Sequence, residues 1–151
     1  LRGELQAPSR ALGISSSGYS AETRNILYLD IASTEARWLL PDSARVISDE
    51  ASVWSENQGA TARQQVAGLA LVKPKTGDLE LGEGTPLIFD ASGRQVTTVA
   101  EGVRALNHAS LVDSHTILVL YERDRRYVRA MVDAQSLKVK SVDDVSVPEL
   151  R

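Results

Sequence analysis

The 151-residue chain contains no cysteine. Disulfides, thiolate nucleophiles, iron–sulfur clusters and cysteine-based zinc sites are excluded together. Aromatic residues make up only 5%, with one Phe, two Trp and four Tyr, so the placement of each ring carries information. No apolar run exceeds strand length, and Thr116-Ile117-Leu118-Val119-Leu120-Tyr121 is among the longest. A spanning helix needs about 20 apolar residues, so no transmembrane segment is expected. Charge of one sign is not concentrated either. Seventeen Lys and Arg stand against 20 Asp and Glu, giving a net charge of -3 with the signs mixed along the chain. A nucleic-acid surface needs a clustered basic face to displace phosphate counterions, so nucleic acid is not an expected partner.

The size suits one domain with a single core. The first residue is Leu1 and the only methionine is Met131. The reading is of a chain with a segment removed upstream, either a signal peptide or a membrane anchor. The expected compartment is periplasmic or otherwise extracytoplasmic, with the cytoplasm as the alternative. Residues 1–24, rich in Ser, Gly and small residues without a sustained period, read as an irregular arm. Residues 25–151 read as one all-β domain.

What the chain does have is a phrase that occurs three times: an apolar run ending in Asp, a small polar turn and a second β-rich run. It reads Leu27-Tyr28-Leu29-Asp30 before Ala36 to Leu40, Leu87-Ile88-Phe89-Asp90 before Gln95 to Val99, and Ala130-Met131-Val132-Asp133 before Leu137 to Val142. In the second copy Gly93 supplies a residue that takes a positive φ at no steric cost. Between the copies, a strand is expected near Val46, followed by a polar loop carrying Trp54, and another strand over Val66 to Val72. Val103–Leu106, Thr116–Tyr121, Tyr127–Asp133 and Leu137–Val142 follow as four successive strands, with the Thr116 strand apolar on both faces and so placed mid-sheet. Short strands at regular intervals with turn signals between them predict an antiparallel meander of about 9–11 strands.

The three aspartates are 60 and 43 residues apart, and about 40 to 45 residues is the length of a four-stranded propeller blade. Over roughly Asn25 to Val147 the pattern resembles the WD40-like and TolB-type β-propeller families, without the Trp-Asp dipeptide or Gly-His pair of WD40 blades. The resemblance implies stacked four-stranded blades. Rings close with about 4 to 8 blades, and this length supplies about three. The expected architecture is therefore a partial or self-completing propeller, or an open sheet or sandwich.

Residues with chemical potential are few. His108, Ser110, Asp113, Ser114 and His115 place every member of a Ser-His-Asp system within one short segment, and His108, Asp113 and His115 are also possible zinc ligands. The histidines are seven positions apart, which matches no compact metal motif, and no Gly-x-Ser-x-Gly elbow exists. A polar loop with surface histidines is the simpler reading, with no metal and no cofactor expected. Glu122-Arg123-Asp124-Arg125-Arg126 reads as an exposed hairpin tip, or as a docking loop in which Arg123, Arg125 and Arg126 meet an acidic partner. Trp38, inside a strand, is expected in the core; Trp54, in polar company, is expected to contact a ligand or partner if exposed.

These readings converge on a non-enzymatic interaction or assembly module of a bacterial envelope protein, binding a protein partner or forming a homo-oligomer through exposed sheet edges. The alternatives are a hydrolase or metal-dependent enzyme using the His108–His115 segment, and a small-ligand binder at Trp54.

Overall fold

The computed structural model describes residues 11–17, 23–30, 35–42, 44–55, 64–75 and 82–148. Among these the regular structure is entirely β, in eleven strands: β1 (Ala11–Ser17), β2 (Thr23–Asp30), β3 (Ala36–Trp38), β4 (Arg45–Trp54), β5 (Gln65–Pro74), β6 (Thr85–Asp90), β7 (Val96–Thr98), β8 (Ala105–Asp113), β9 (Thr116–Arg123), β10 (Arg126–Asp133) and β11 (Val139–Val145). They form two open antiparallel sheets. A seven-stranded sheet runs β1-β2-β4-β5-β6-β7 with β3 attached to β2, and a four-stranded meander runs β11-β10-β9-β8. Neither closes into a barrel, in keeping with an open sheet or sandwich.

One core cluster draws on both sheets. Val53, Leu69, Leu71 and Ile88 of the large sheet join Ile117, Val119, Tyr121, Val128, Ala130 and Val132 of the small one. The opposite side of the large sheet carries a second cluster, in which Ile26, Tyr28, Leu39 and Leu40 meet Ile47, Ala70, Val72, Leu87 and Phe89. β5 thus has apolar contacts on both faces, which is why Ala-Gly-Leu-Ala-Leu-Val reads as a continuous apolar run rather than an alternation. Glycine matters here for space. Gly68 is paired with Phe89, and a Cβ on Gly68 would collide with the Phe89 ring.

Polar side chains finish what the ladders leave open. The buried Asn25 amide accepts from the Leu40 N–H at 2.8 Å and donates to the Leu40 carbonyl at 3.0 Å, pinning the segment after β3 onto β2. Asp49 of β4 accepts the Leu106 N–H of β8, and the charge of buried Lys73 lies close enough to favour its ionised form. Burial is the larger influence and raises the Asp49 pKa above its ordinary 3.8.

Each of the three Asp-ended runs is the first strand of a hairpin: β2 with β3, β6 with β7, and β10 with β11. Gly93 takes φ 71° in the second. Several expectations need correction. Ala11–Ser17, placed in the irregular arm, forms β1 paired with β2. The strand near Val46 continues through Trp54, because Asp49 to Val53 keep pairing with β5 after a bulge between Ile47 and Asp49. The four-strand group starts at Ala105 and its first strand runs on through Asn107 and His108 to Asp113; Val103 contributes only an isolated bridge to Gly84. The expected Leu137–Val142 strand starts only at Val139. Leu137 sits buried in the turn at φ 59°, and a register shift opposite Met131 and Val132 lets Val139 pack on the core while Ser141 is exposed. Most of the expected arm and the turn over 31–34 lie outside the described residues.

Candidate functional site

β9 and β10 are joined by a tight turn at Asp124 and Arg125, with φ 51° and 62°. Two successive positive φ values are the type I′ geometry that matches the twist of a two-residue hairpin. The expected exposed tip is therefore present, and its register sets the site. Arg126 pairs directly with Arg123, while one step into the sheet on the same face Val128 pairs with Tyr121 and with Asp144 of β11. Arg123, Asp124, Arg126, Val128 and Asp144 line an open groove of about 400 Å³.

The two guanidinium groups are not equivalent. Arg126 Nη1 is 3.3 Å from Asp144 Oδ2, in an exposed single contact. Arg123 has no carboxylate partner among the described residues and instead lies over the Tyr121 ring, 5.9 Å from its centroid. Arg125 is exposed at the turn and does not line the groove. Tyr121 is fully buried, and its hydroxyl has no hydrogen-bond partner among the described residues. Burial raises its pKa above 10.0; Arg123 opposes the shift and Asp144 adds to it, so the phenol lies within reach of both charges. Nothing in the sequence around Leu120-Tyr121-Glu122 marks this phenol as orphaned. That depends on β10, β11 and the facing sheet.

The histidine segment is laid out along β8 and its turn. His108 is exposed on the strand, with Nε2 3.0 Å from the Ser110 hydroxyl. At about 3.3 Å per residue, Asp113 lies roughly 15 Å further along. Its carboxylate accepts the His115 N–H at 2.7 Å, the first cause of its lowered pKa. His108 and Asp113 are thus not brought together, and among the described residues no three His, Asp or Glu side chains group as a metal site. Asp90 and Asp133 are engaged by their own turns: Asp90 accepts the Arg94 N–H at 2.8 Å, and Asp133 accepts the Ser136 hydroxyl at 3.1 Å. Lys140, whose ammonium donates to Thr116, lowers the pKa values of both Asp113 and Asp133 and so supplies the positive charge at that end.

Trp38 departs from its expected place, and Trp54 is only partly exposed. Trp54 is the last residue of β4, paired with Gln65 and half-buried; the loop beyond it, 56–63, lies outside the described residues. Trp38, expected in the core, is 52% exposed. Its register explains this: Arg37 pairs with Tyr28, which faces the second core cluster, so Trp38 and its partner Leu27 fall on the opposite face. Arg37 spends that inward position on a hydrogen bond to the Ser92 carbonyl in the β6–β7 turn. The outer face of β2 and β3 thereby carries Leu27, Leu29, Ala36 and Trp38, none of them buried.

No protein-family model, curated protein or solved structure matches this chain.

Proposed function

We propose that the chain is a non-enzymatic interaction module of a bacterial envelope protein, and that it assembles with a second copy through the outer face of β2 and β3. The observation that carries this is the 52% exposure of Trp38 beside half-exposed Leu27 and Leu29. An indole left in water on a short strand is unfavourable, while tryptophan is among the commonest anchors of protein interfaces. The four paired positions of this face carry no charge, and a two-fold contact lets Trp38 of one copy pack on Leu27 and Leu29 of the other. β1 adds to it, because it pairs only with β2 and leaves its other edge open among the described strands.

Sedimentation velocity across a concentration series tests the reading. A concentration-dependent dimer is expected for the native chain, and Trp38→Glu is expected to be monomeric, with the same thermal midpoint as the native chain at concentrations low enough for both to be monomers. A strict monomer at every concentration, or a Trp38→Glu chain that still dimerises, overturns it. The envelope setting is carried forward from the sequence, and cell fractionation of the full-length protein tests that part.

A further inference from the structure

We propose that the groove at the β9–β10 tip is a binding site for a single carboxylate of a peptide, with Arg123 as its main anchor, Arg126 as a second donor and the buried hydroxyl of Tyr121, whose ring lies under Arg123, as a further donor. This site is separate from the β2–β3 face and goes beyond the assembly reading.

Three observations converge. Arg123 and Arg126 are directly opposed on the ladder, a pairing of like charges that is unfavourable unless an anion lies between them. Only one of the two is compensated, through one exposed contact from Arg126 to Asp144, whereas Arg123 rests on an aromatic ring and keeps its forked donors available. Guanidinium forks match carboxylate geometry, so an incoming carboxylate completes an arrangement that is half built. The third observation is the Tyr121 hydroxyl, fully buried, without a hydrogen-bond partner among the described residues and within electrostatic reach of Arg123 and Asp144. Buried hydroxyls almost always have a partner, and this one has a donor to offer.

The charge balance of the groove defines the ligand further. Asp124 and Asp144 line it together with the arginines, so the free groove is neutral overall and has no attraction for a polyanion. Binding is an exchange: one carboxylate takes Arg126 from Asp144 while engaging Arg123. A volume of about 400 Å³ suits an acidic residue with its immediate neighbours.

Three synthetic peptides distinguish the source of the carboxylate: Ac-Gly-Ser-Glu-Ser-Gly-amide, its Gln counterpart as the amide, and the same Gln peptide with a free C-terminus. Titrations are followed by NMR at the Arg123 Nε–H and the Tyr121 ring. At least one carboxylate peptide is expected to bind tenfold or more tightly than the Gln amide, and whichever does so identifies a side-chain or a terminal carboxylate as the ligand. Arg123→Gln is expected to abolish the difference. Tyr121→Phe is expected to reduce it several-fold while the chain stays folded by circular dichroism. Equal binding of all three peptides overturns the proposal, as does carboxylate binding that survives Arg123→Gln. Retention of full selectivity by Tyr121→Phe removes the hydroxyl from the site. Because Trp38→Glu leaves the groove untouched, repeating the titration on that variant separates failure of this site from failure of the assembly reading.

Discussion

The ring of Phe89 occupies the space over Gly68 on the adjacent strand, so that the two residues together fill what one side chain would fill alone. Tyr28 then meets Phe89 edge-on, with centroids 6.3 Å apart and planes at 75°, and covers Gly93 of the next turn. With so few rings in the chain, these contacts form much of the second core cluster. Gly68→Ala is expected to destabilise the fold by about 1–3 kcal/mol through overpacking, measured by urea unfolding. Gly93→Ala adds a positive φ to a clash with Tyr28, and is expected to cost at least as much as Gly68→Ala. Wild-type stability in either variant contradicts this packing.

Tyr121 and Trp38 make opposite predictions from similar chemistry. Trp38→Ala should change stability by no more than about 0.5 kcal/mol, as for other surface sites. Tyr121→Ala should cost about 3–5 kcal/mol, as for large buried rings. Tyr121→Phe removes a buried hydroxyl that has no partner among the described residues and is expected to be neutral or stabilising by up to about 1 kcal/mol. Thermal melts of the three variants rank them, and a Tyr121→Phe variant clearly less stable than wild type would reveal a partner for the phenol.

Asn25 is expected to behave as a single clamp. Asn25→Ala leaves both the Leu40 N–H and its carbonyl without their partner, at a cost of about 2–3 kcal/mol. The Leu40 amide should then exchange with solvent much faster while the β9–β10 amides keep their protection. Uniform loss of protection across both sheets would argue against a local clamp.

The aspartates should titrate in two groups. Asp49 is raised above 3.8 by burial, so its ionised form opposes folding at neutral pH, and this cost fades as pH falls through its folded pKa towards 3.8. Asp133, held low chiefly by the Ser136 hydroxyl, and Asp113, held low chiefly by the His115 N–H, act the other way. Their stabilisation is present above 3.8 and is lost as pH falls through their lower folded values. Carboxyl-detected NMR titration should place Asp49 above 3.8 and the other two below. Ser136→Ala should return Asp133 towards 3.8 and weaken the dependence of stability on acid pH; an unmoved Asp133 would show that another group holds it.

The strands that read most clearly are those whose pattern is local. β6, β9 and β10 are apolar runs closed by turn residues, and the tip at Asp124-Arg125 sits between two such runs with no room for a longer loop. β4 was harder to read because Ser48, Asp49 and Glu50 resemble a loop, and only pairing with β5 and the N–H of Leu106 make them strand. β1 was hidden for the same reason: seven residues ending in three serines are a strand only because β2 lies beside them. In the groove, the arginines were visible as a charge run. The phenol beneath them was not, since its lack of a partner is a property of its surroundings.

Composition and short-range pattern were enough to establish an all-β chain of hairpins without thiol chemistry, because alternation and turn formation depend on neighbours in sequence. Which tryptophan faces water could only be settled in three dimensions. The side on which Trp38 falls follows from the pairing of Arg37 with Tyr28, and a shift of one residue in a pleated strand exchanges its faces. That parity is set by Phe89 and Gly93, more than fifty residues away along the chain.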